Sequence, residues 1–136
     1  MSRLPRAALI GVAVGVAVVA NLIVYLIGRA AGGTFVFTAN NGPAEVDAAT
    51  VAGFSLVPLL VGLAVVALLA PRAPWVVRAA VVIGPVLAIG TIVVMTLPAD
   101  FDSVSTTTLA LCHLTLVPIT IAAALALGRR SRVAGG

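Results

Sequence analysis

One histidine, one cysteine and a few hydroxyl and amide side chains could do chemistry inside otherwise apolar segments of this 136-residue chain. His113 directly follows Cys112, and no acidic residue lies in any apolar run. A single cysteine excludes an internal disulfide and a cysteine-built metal site. Because the apolar runs contain no acidic residue, the chain lacks the acid that a proton-coupled antiporter of the small multidrug type needs. We predict no metal site and no cofactor.

Two arrangements that would make His113 chemically active remain open. Ser55 and His113 could act as nucleophile and base in hydrolysis if they met at one depth. The sequence shows no residue that would orient the imidazole as the base. His113 could also ligate a haem shared between two copies of the chain. We expect neither, predict no catalytic residue, and favour an imidazole hydrogen-bonded to Asn21 or Tyr25.

The composition predicts an integral membrane protein. Apolar residues make up 62% of the chain and charged residues 9%, whereas a soluble domain is about half apolar and a quarter charged. The net charge of +4 comes from arginines at the ends of apolar runs, which build no basic face for nucleic acid. We expect the partners to be the lipid bilayer, anionic lipid headgroups at the cytoplasmic arginines, and a second copy or another membrane protein.

Four apolar runs are long enough to cross the hydrocarbon core, which takes about 20 helical residues. They cover residues 7–28, 50–70, 79–97 and 106–128. Together they leave no room for a soluble domain, so residues 1–136 are predicted to form a single integral membrane domain. We predict an all-α fold, a four-helix transmembrane bundle capped by the outer loop 29–49.

The arginines predict the orientation of the bundle. Seven of the eight flank the two termini and the connection between the second and third spans, and only Arg29 shares the alternate loops with the four acidic residues. The positive-inside rule then places both termini in the cytoplasm and the protein in the plasma (inner) membrane.

The long outer loop has two interpretations. Residues 34–38 alternate as in a strand and residues 41–43, Asn-Gly-Pro, are typical of a turn, so a short hairpin could lie over the mouth of the bundle. Alternatively, Phe35 and Phe37 anchor an irregular loop among the lipid headgroups, and we favour this second interpretation.

A helical hairpin is plausibly duplicated within the chain. Ser55-Leu-Val-Pro-Leu and Thr115-Leu-Val-Pro-Ile are 60 residues apart, and Leu9-Ile-Gly and Val82-Ile-Gly are 73 apart. The two outer loops differ in length by about the missing 13 residues. The two copies of such a repeat would be related by an axis along the membrane normal, with Pro58 and Pro118 in equivalent places.

Each of the four spans places a polar residue at a similar depth. At 1.5 Å per helical residue these side chains lie roughly 7 to 12 Å below the outer surface. The candidate ligand-binding residues are Asn21, Tyr25, Ser55, Thr91 and His113. We also expect two stripes to face inward: Gly11, Gly15, Val18, Asn21 and Tyr25 in the first span, and Thr106, His113 and Thr120 in the fourth. The pair Gly11 and Gly15 forms a GxxxG motif, which suits close helix packing inside the bundle or against another copy.

The chain resembles a family of small, uncharacterised four-span integral membrane proteins from actinobacteria. The resemblance rests on residues 6–12, 20–29, 57–62 and 111–114, read as Arg-Ala-Ala-Leu-Ile-Gly-Val, Ala-Asn-Leu-Ile-Val-Tyr-Leu-Ile-Gly-Arg, Val-Pro-Leu-Leu-Val-Gly and Leu-Cys-His-Leu. It implies the four-span topology, and it implies no activity or cofactor.

Two functions follow from these patterns. The first is a non-enzymatic structural or accessory membrane component in which the polar residues hold the helices together. The alternative is binding or transport of a small amphipathic molecule or lipid in an outer-leaflet pocket around His113, an ionisable residue at membrane depth. The role of His113 separates the two.

Overall fold

The computed structural model describes residues 4–134, with the side chains after Ser131 excepted. It contains four long helices, each apolar and long enough to span a membrane, so the predicted all-α four-helix bundle is confirmed. The helices are α1 (Arg6–Ala30), α2 (Ala48–Leu69), α3 (Trp75–Thr91) and α4 (Ser103–Ala134). A π-helical segment, Ile92–Thr96, continues α3. Arg3 and the side chain of Arg132 lie outside the described part of the chain.

The helices pack most tightly at the end of the bundle that carries most of the arginines. The core of this arginine-rich end is built from apolar side chains of all four helices: Ile10, Val14, Ala17, Leu59, Leu63, Val66, Ala70, Val76, Ala123 and Leu127. α4 contacts the three other helices, whereas α2 and α3 touch each other only sparsely. The other three helices therefore pack around α4, and α2 and α3 share little interface of their own.

Small residues bring α3 close to α4. A Cβ atom added to Gly84 would lie 2.6 Å from Thr120 Cγ2, and one added to Gly128 would lie 2.9 Å from Val77 Cγ1. Both distances are shorter than two carbon atoms tolerate, so glycine is required at these crossings. Of the predicted stripe on α4, Thr120 thus faces α3.

The predicted inward face of α1 is partly wrong. Gly11 and Gly15 are exposed, and a Cβ atom at either would meet no atom of the described chain within 4 Å. The buried residues of α1 are Ile10, Val14, Ala17, Asn21, Tyr25 and Gly28. Ile10, Val14 and Tyr25 bury more apolar surface than Gly11 and Gly15 would, and the helix is rotated accordingly. The GxxxG motif is therefore not used inside the bundle.

The connection between α1 and α2 forms a β-hairpin, so the preference for an irregular loop was wrong. Strands β1 (Val36–Ala39) and β2 (Gly42–Glu45) pair antiparallel around a turn at Asn40 and Asn41, and Gly42 follows with φ +113°. Phe35, immediately before β1, is fully buried rather than lying among headgroups. It adopts φ +58°, which few non-glycine residues do. Burial of its ring and a hydrogen bond from its N–H to Ser105 Oγ (2.8 Å) hold it there.

Residues 31–47 and 98–102 together form what we call the cap. Aspartates of the second segment bind threonines of the first. Thr38 donates its N–H and hydroxyl to Asp100 (2.7 and 2.6 Å), and Thr34 donates its own pair to Asp102 (3.0 and 2.8 Å). The rings of Phe37 and Phe101 pack with centroids 5.1 Å apart. The hairpin is thereby fixed over the end of the bundle.

Candidate functional site

A chain of hydrogen bonds through Asn21 joins three helices near the cap. Asn21 Nδ2 donates to Ser55 Oγ (2.7 Å), which in turn donates to the Val51 carbonyl (2.8 Å). On the other side, Thr115 Oγ1 donates to Asn21 Oδ1. Because Asn21 is 1% exposed, its amide needs partners on both ends to be tolerated in hydrocarbon. The three side chains connect α1, α2 and α4.

An apolar cavity of about 320 Å³ lies beside this chain and beneath the cap. Its volume is within the lower range of small-molecule sites in proteins. The cap contributes the roof through Phe37, Ala44, Val46, Ala99 and Phe101, and side chains of α1, α2, α4 and the α3–π region form the walls and floor. Four of the five predicted site residues line it: Asn21, Ser55, Thr91 and His113.

The cavity reaches the surface of the bundle between α2 and the π-helical segment. Phe54 of α2 and Met95 of the π-helical segment both line it, and they are 68% and 61% exposed. The π-helical turn is wide enough to bring Thr96, five residues after Thr91, to the cavity as well. An apolar chain could enter here from the side, whereas the cap covers the end.

His113 makes a different contact from the one expected. Its Nδ1 lies 2.7 Å from the carbonyl oxygen of Leu109, one turn earlier in α4, rather than against Asn21 or Tyr25. Ser55 gives its proton to Val51, so Ser55 and His113 are not arranged as a nucleophile and its base. His113 is half-buried and contributes its ring to the cavity wall.

Tyr25 is separate from the other predicted site residues. Its ring is buried against Phe35, with centroids 4.6 Å apart, and it does not line the cavity. The guanidinium of Arg29 lies 5.6 Å from the centroids of both rings. Arg29 also donates to the Thr34 carbonyl (2.9 Å) and pairs with Glu45. Tyr25 thus belongs to the packing that holds the cap.

Several residues of this region were missed from the sequence. Thr115, which flanks His113 in the fourth span, was not among the candidate site residues, and neither was Thr96 near the end of the third span. Phe37 and Phe101 approach the cavity only because the cap folds over it. The N-caps of α2 and α4, in contrast, could have been predicted from the sequence. Asp47 accepts from the N–H and hydroxyl of Thr50 (2.8 and 2.6 Å), and Asp102 accepts from the N–H of Ser105 (2.9 Å). An aspartate three residues before a threonine or serine at a helix start predicts this geometry.

Four apolar, mutually packed helices with polar side chains turned inward define a polytopic membrane protein of the helical-bundle type. Within that class, the chain belongs to the family of unknown function DUF6069, whose family model matches residues 2–134. Neither a curated protein nor a solved structure matches the chain significantly.

Proposed function

We propose that this protein binds a small amphipathic molecule or lipid in the cavity beneath the cap, as a carrier or as the binding subunit of a larger membrane assembly. The observation that carries the proposal is that Asn21, Ser55, Thr91 and His113, one from each helix, meet at one apolar cavity. An apolar cavity with a few convergent polar groups is the usual form of a ligand site.

The shape of the site supports a ligand drawn from the membrane. The cap closes the end of the bundle through the aspartate–threonine hydrogen bonds, while Phe54 and Met95 leave the side of the cavity open. A ligand with a polar head and an apolar chain would place its head near His113 and leave the chain between α2 and the π-helical segment.

A structural or accessory role is the second candidate, and one observation favours it. Gly11 and Gly15 lie exposed on α1 with no neighbouring atom in the described chain to contact. Such a surface suits close approach of a helix from a second copy or from another membrane protein. This role is compatible with ligand binding, because Gly11 and Gly15 are not among the residues that line the cavity.

The arginines support a plasma-membrane location with both termini in the cytoplasm. We propose that they bind anionic lipid headgroups there, each contributing about 1 kcal/mol near the surface. These residues are Arg3, Arg6, Arg72, Arg78, Arg129, Arg130 and Arg132.

Native mass spectrometry of the protein released from nanodiscs tests the binding function. We expect the wild-type chain to retain a stoichiometric mass that Ala99→Phe loses, because a phenyl ring at this position would fill the cavity. Thr107→Val is the matched control, since Thr107 lies on α4 outside the cavity. His113→Ala should also lose the mass without a lower melting temperature. Exchangeable phospholipid alone, equal in wild type and Ala99→Phe, would contradict the proposal.

A further inference from the structure

We infer that the head of the bound molecule is uncharged and donates a hydrogen bond, which makes the ligand a long-chain alcohol. Isoprenoid alcohols and acylglycerols share this chemistry. The inference rests on the proposed binding function and concerns which groups the cavity offers to a ligand.

Two hydroxyl groups of the cavity donate their protons to backbone carbonyls. Ser55 donates to the Val51 carbonyl (2.8 Å) and Thr91 donates to the Leu87 carbonyl (2.7 Å). Each hydroxyl has one proton and two acceptor lone pairs. Ser55 uses one lone pair for Asn21, so it keeps one for a ligand, and Thr91 keeps both.

The imidazole of His113 also offers an acceptor. A carbonyl oxygen can only accept, so the contact between His113 Nδ1 and the Leu109 oxygen places the proton of the neutral ring on Nδ1. Nε2 then carries a lone pair, and no residue in the described part of the chain hydrogen-bonds to it. Three side chains from three helices, those of Ser55, Thr91 and His113, therefore present acceptors to the cavity.

Few donors oppose these acceptors. The second amide proton of Asn21 and the hydroxyl of Thr96 are the side-chain N–H and O–H donors of the cavity that bond to no residue within the described ranges. Ser55, Thr91 and His113 together offer four lone pairs. A ligand that only accepts, such as an ether or an ester, pairs with none of them, whereas an alcohol pairs with one. A hydroxyl head satisfies both kinds of group, because it donates one hydrogen bond and accepts others.

The charges near the cavity argue against an ionic head. Glu45 is the one charged residue in the described lining, and it is paired with Arg29. That arginine is further held by the Thr34 carbonyl and by the rings of Tyr25 and Phe35. A phosphate or carboxylate would find no free cation among the described lining residues. An ammonium would find only a carboxylate that Arg29 already neutralises, so the loss of its hydration would be costly in this apolar site.

Photocrosslinking in nanodiscs tests this inference with diazirine-bearing hexadecanol and its methyl ether. The ether carries a methyl group in place of the proton that the alcohol donates. We expect the alcohol to label peptides of α2 and the π-helical segment, and the ether to bind about tenfold more weakly, as the loss of hydrogen bonds to buried acceptors predicts. The corresponding fatty acid and fatty amine should compete poorly. Competition by unlabelled polyprenol or by unlabelled diacylglycerol then shows whether the ligand is an isoprenoid alcohol or an acylglycerol.

Thr91→Val provides the matched variant, since it removes the acceptor and keeps the shape of the side chain. It should weaken labelling by the alcohol several-fold and leave labelling by the ether unchanged. Thr107→Val is the control, because the Thr107 hydroxyl lies outside the cavity and likewise donates to a backbone carbonyl, that of Ser103 (2.8 Å). This variant should change labelling by neither the alcohol nor the ether. Equal labelling by alcohol and ether, blocked by Ala99→Phe, would overturn the alcohol assignment and keep the binding function. No cavity labelling by any probe would overturn both.

Discussion

At the scale of single residues, the side-chain amide of Asn21 connects polar side chains of three helices. Asn21 carries the only side-chain amide in the described membrane-spanning helices, and it donates through its nitrogen and accepts through its oxygen across two helix interfaces. Its backbone carbonyl also lies 3.7 Å from Cys112 Sγ. Because these bonds occupy the amide oxygen and one of the two amide protons, Asn21 positions the cavity wall and keeps a single N–H for a ligand.

Asn21→Leu should lower the free energy of unfolding by about 1 to 2 kcal/mol. Leucine has a similar volume, so the loss reflects two interhelical hydrogen bonds, each of which is worth about 0.6 kcal/mol or somewhat more in a membrane protein. Unfolding by sodium dodecyl sulfate in mixed micelles measures this. Thr107→Val, which removes an exposed hydroxyl, should change stability by less than about 0.5 kcal/mol. A leucine variant as stable as wild type would show that the Asn21 hydrogen bonds contribute nothing.

At the scale of elements, the acidic residues of the cap are structural acceptors. Asp47 and Asp102 cap the starts of α2 and α4, while Asp100 and Asp102 hold the β-hairpin. The hydrogen bonds from Ser105 and Thr34 hold the pKa of Asp102 far below its usual range. Those from Thr38 lower the pKa of Asp100. Such hydrogen bonds favour the charged form of a carboxylate.

The cap should therefore loosen in acid. Because folding lowers these pKa values, the carboxylates stabilise the fold above the ordinary aspartate pKa of about 4 and lose that contribution as pH falls below it. We expect the melting temperature of the wild type to fall between pH 5 and pH 3 by more than that of the double variant Asp100→Ala, Asp102→Ala. At pH 7 the variant should melt at a lower temperature. Parallel pH profiles for the two proteins would contradict this role.

The duplication of a helical hairpin remains a prediction, and one pair of contacts is consistent with it. Ser55 and Thr115, which are equivalent in the proposed repeat, bind opposite ends of the Asn21 amide. The residue equivalent to Asn21 at the spacing of 73 is Val94, in the π-helical segment. Val94 is 72% exposed and does not line the cavity, so the second half of the repeat places no amide there.

At the scale of the whole molecule, the bundle is closed at its arginine-rich end and open beneath the cap. The arginine-rich end is filled by aliphatic side chains and by close contacts at Gly84 and Gly128. Near the cap, a cavity lies between α2 and the α3–π region. We therefore expect a ligand of this cavity to lie in the leaflet at the cap end.

Single-cysteine labelling tests which leaflet that is. In a Cys112→Ala background, Asn41→Cys in the hairpin turn should react with a membrane-impermeant maleimide on intact spheroplasts. Ser131→Cys at the end of α4 should react only after permeabilisation, since the positive-inside rule places the arginine-rich end in the cytoplasm. The reverse pattern would invert the proposed topology and place the cavity in the cytoplasmic leaflet.

The amino-acid sequence by itself determined the class, the four helices and the polar residues at one depth. Length, apolarity and charge act through the transfer of each segment into lipid, which depends on local composition alone. A helix in lipid can still rotate about its axis at little cost in burial, since lipid and protein interior are both apolar. Tertiary packing therefore decided which faces meet. It turned Gly11 and Gly15 outward, separated Tyr25 from the cavity, and folded the outer loop into a hairpin.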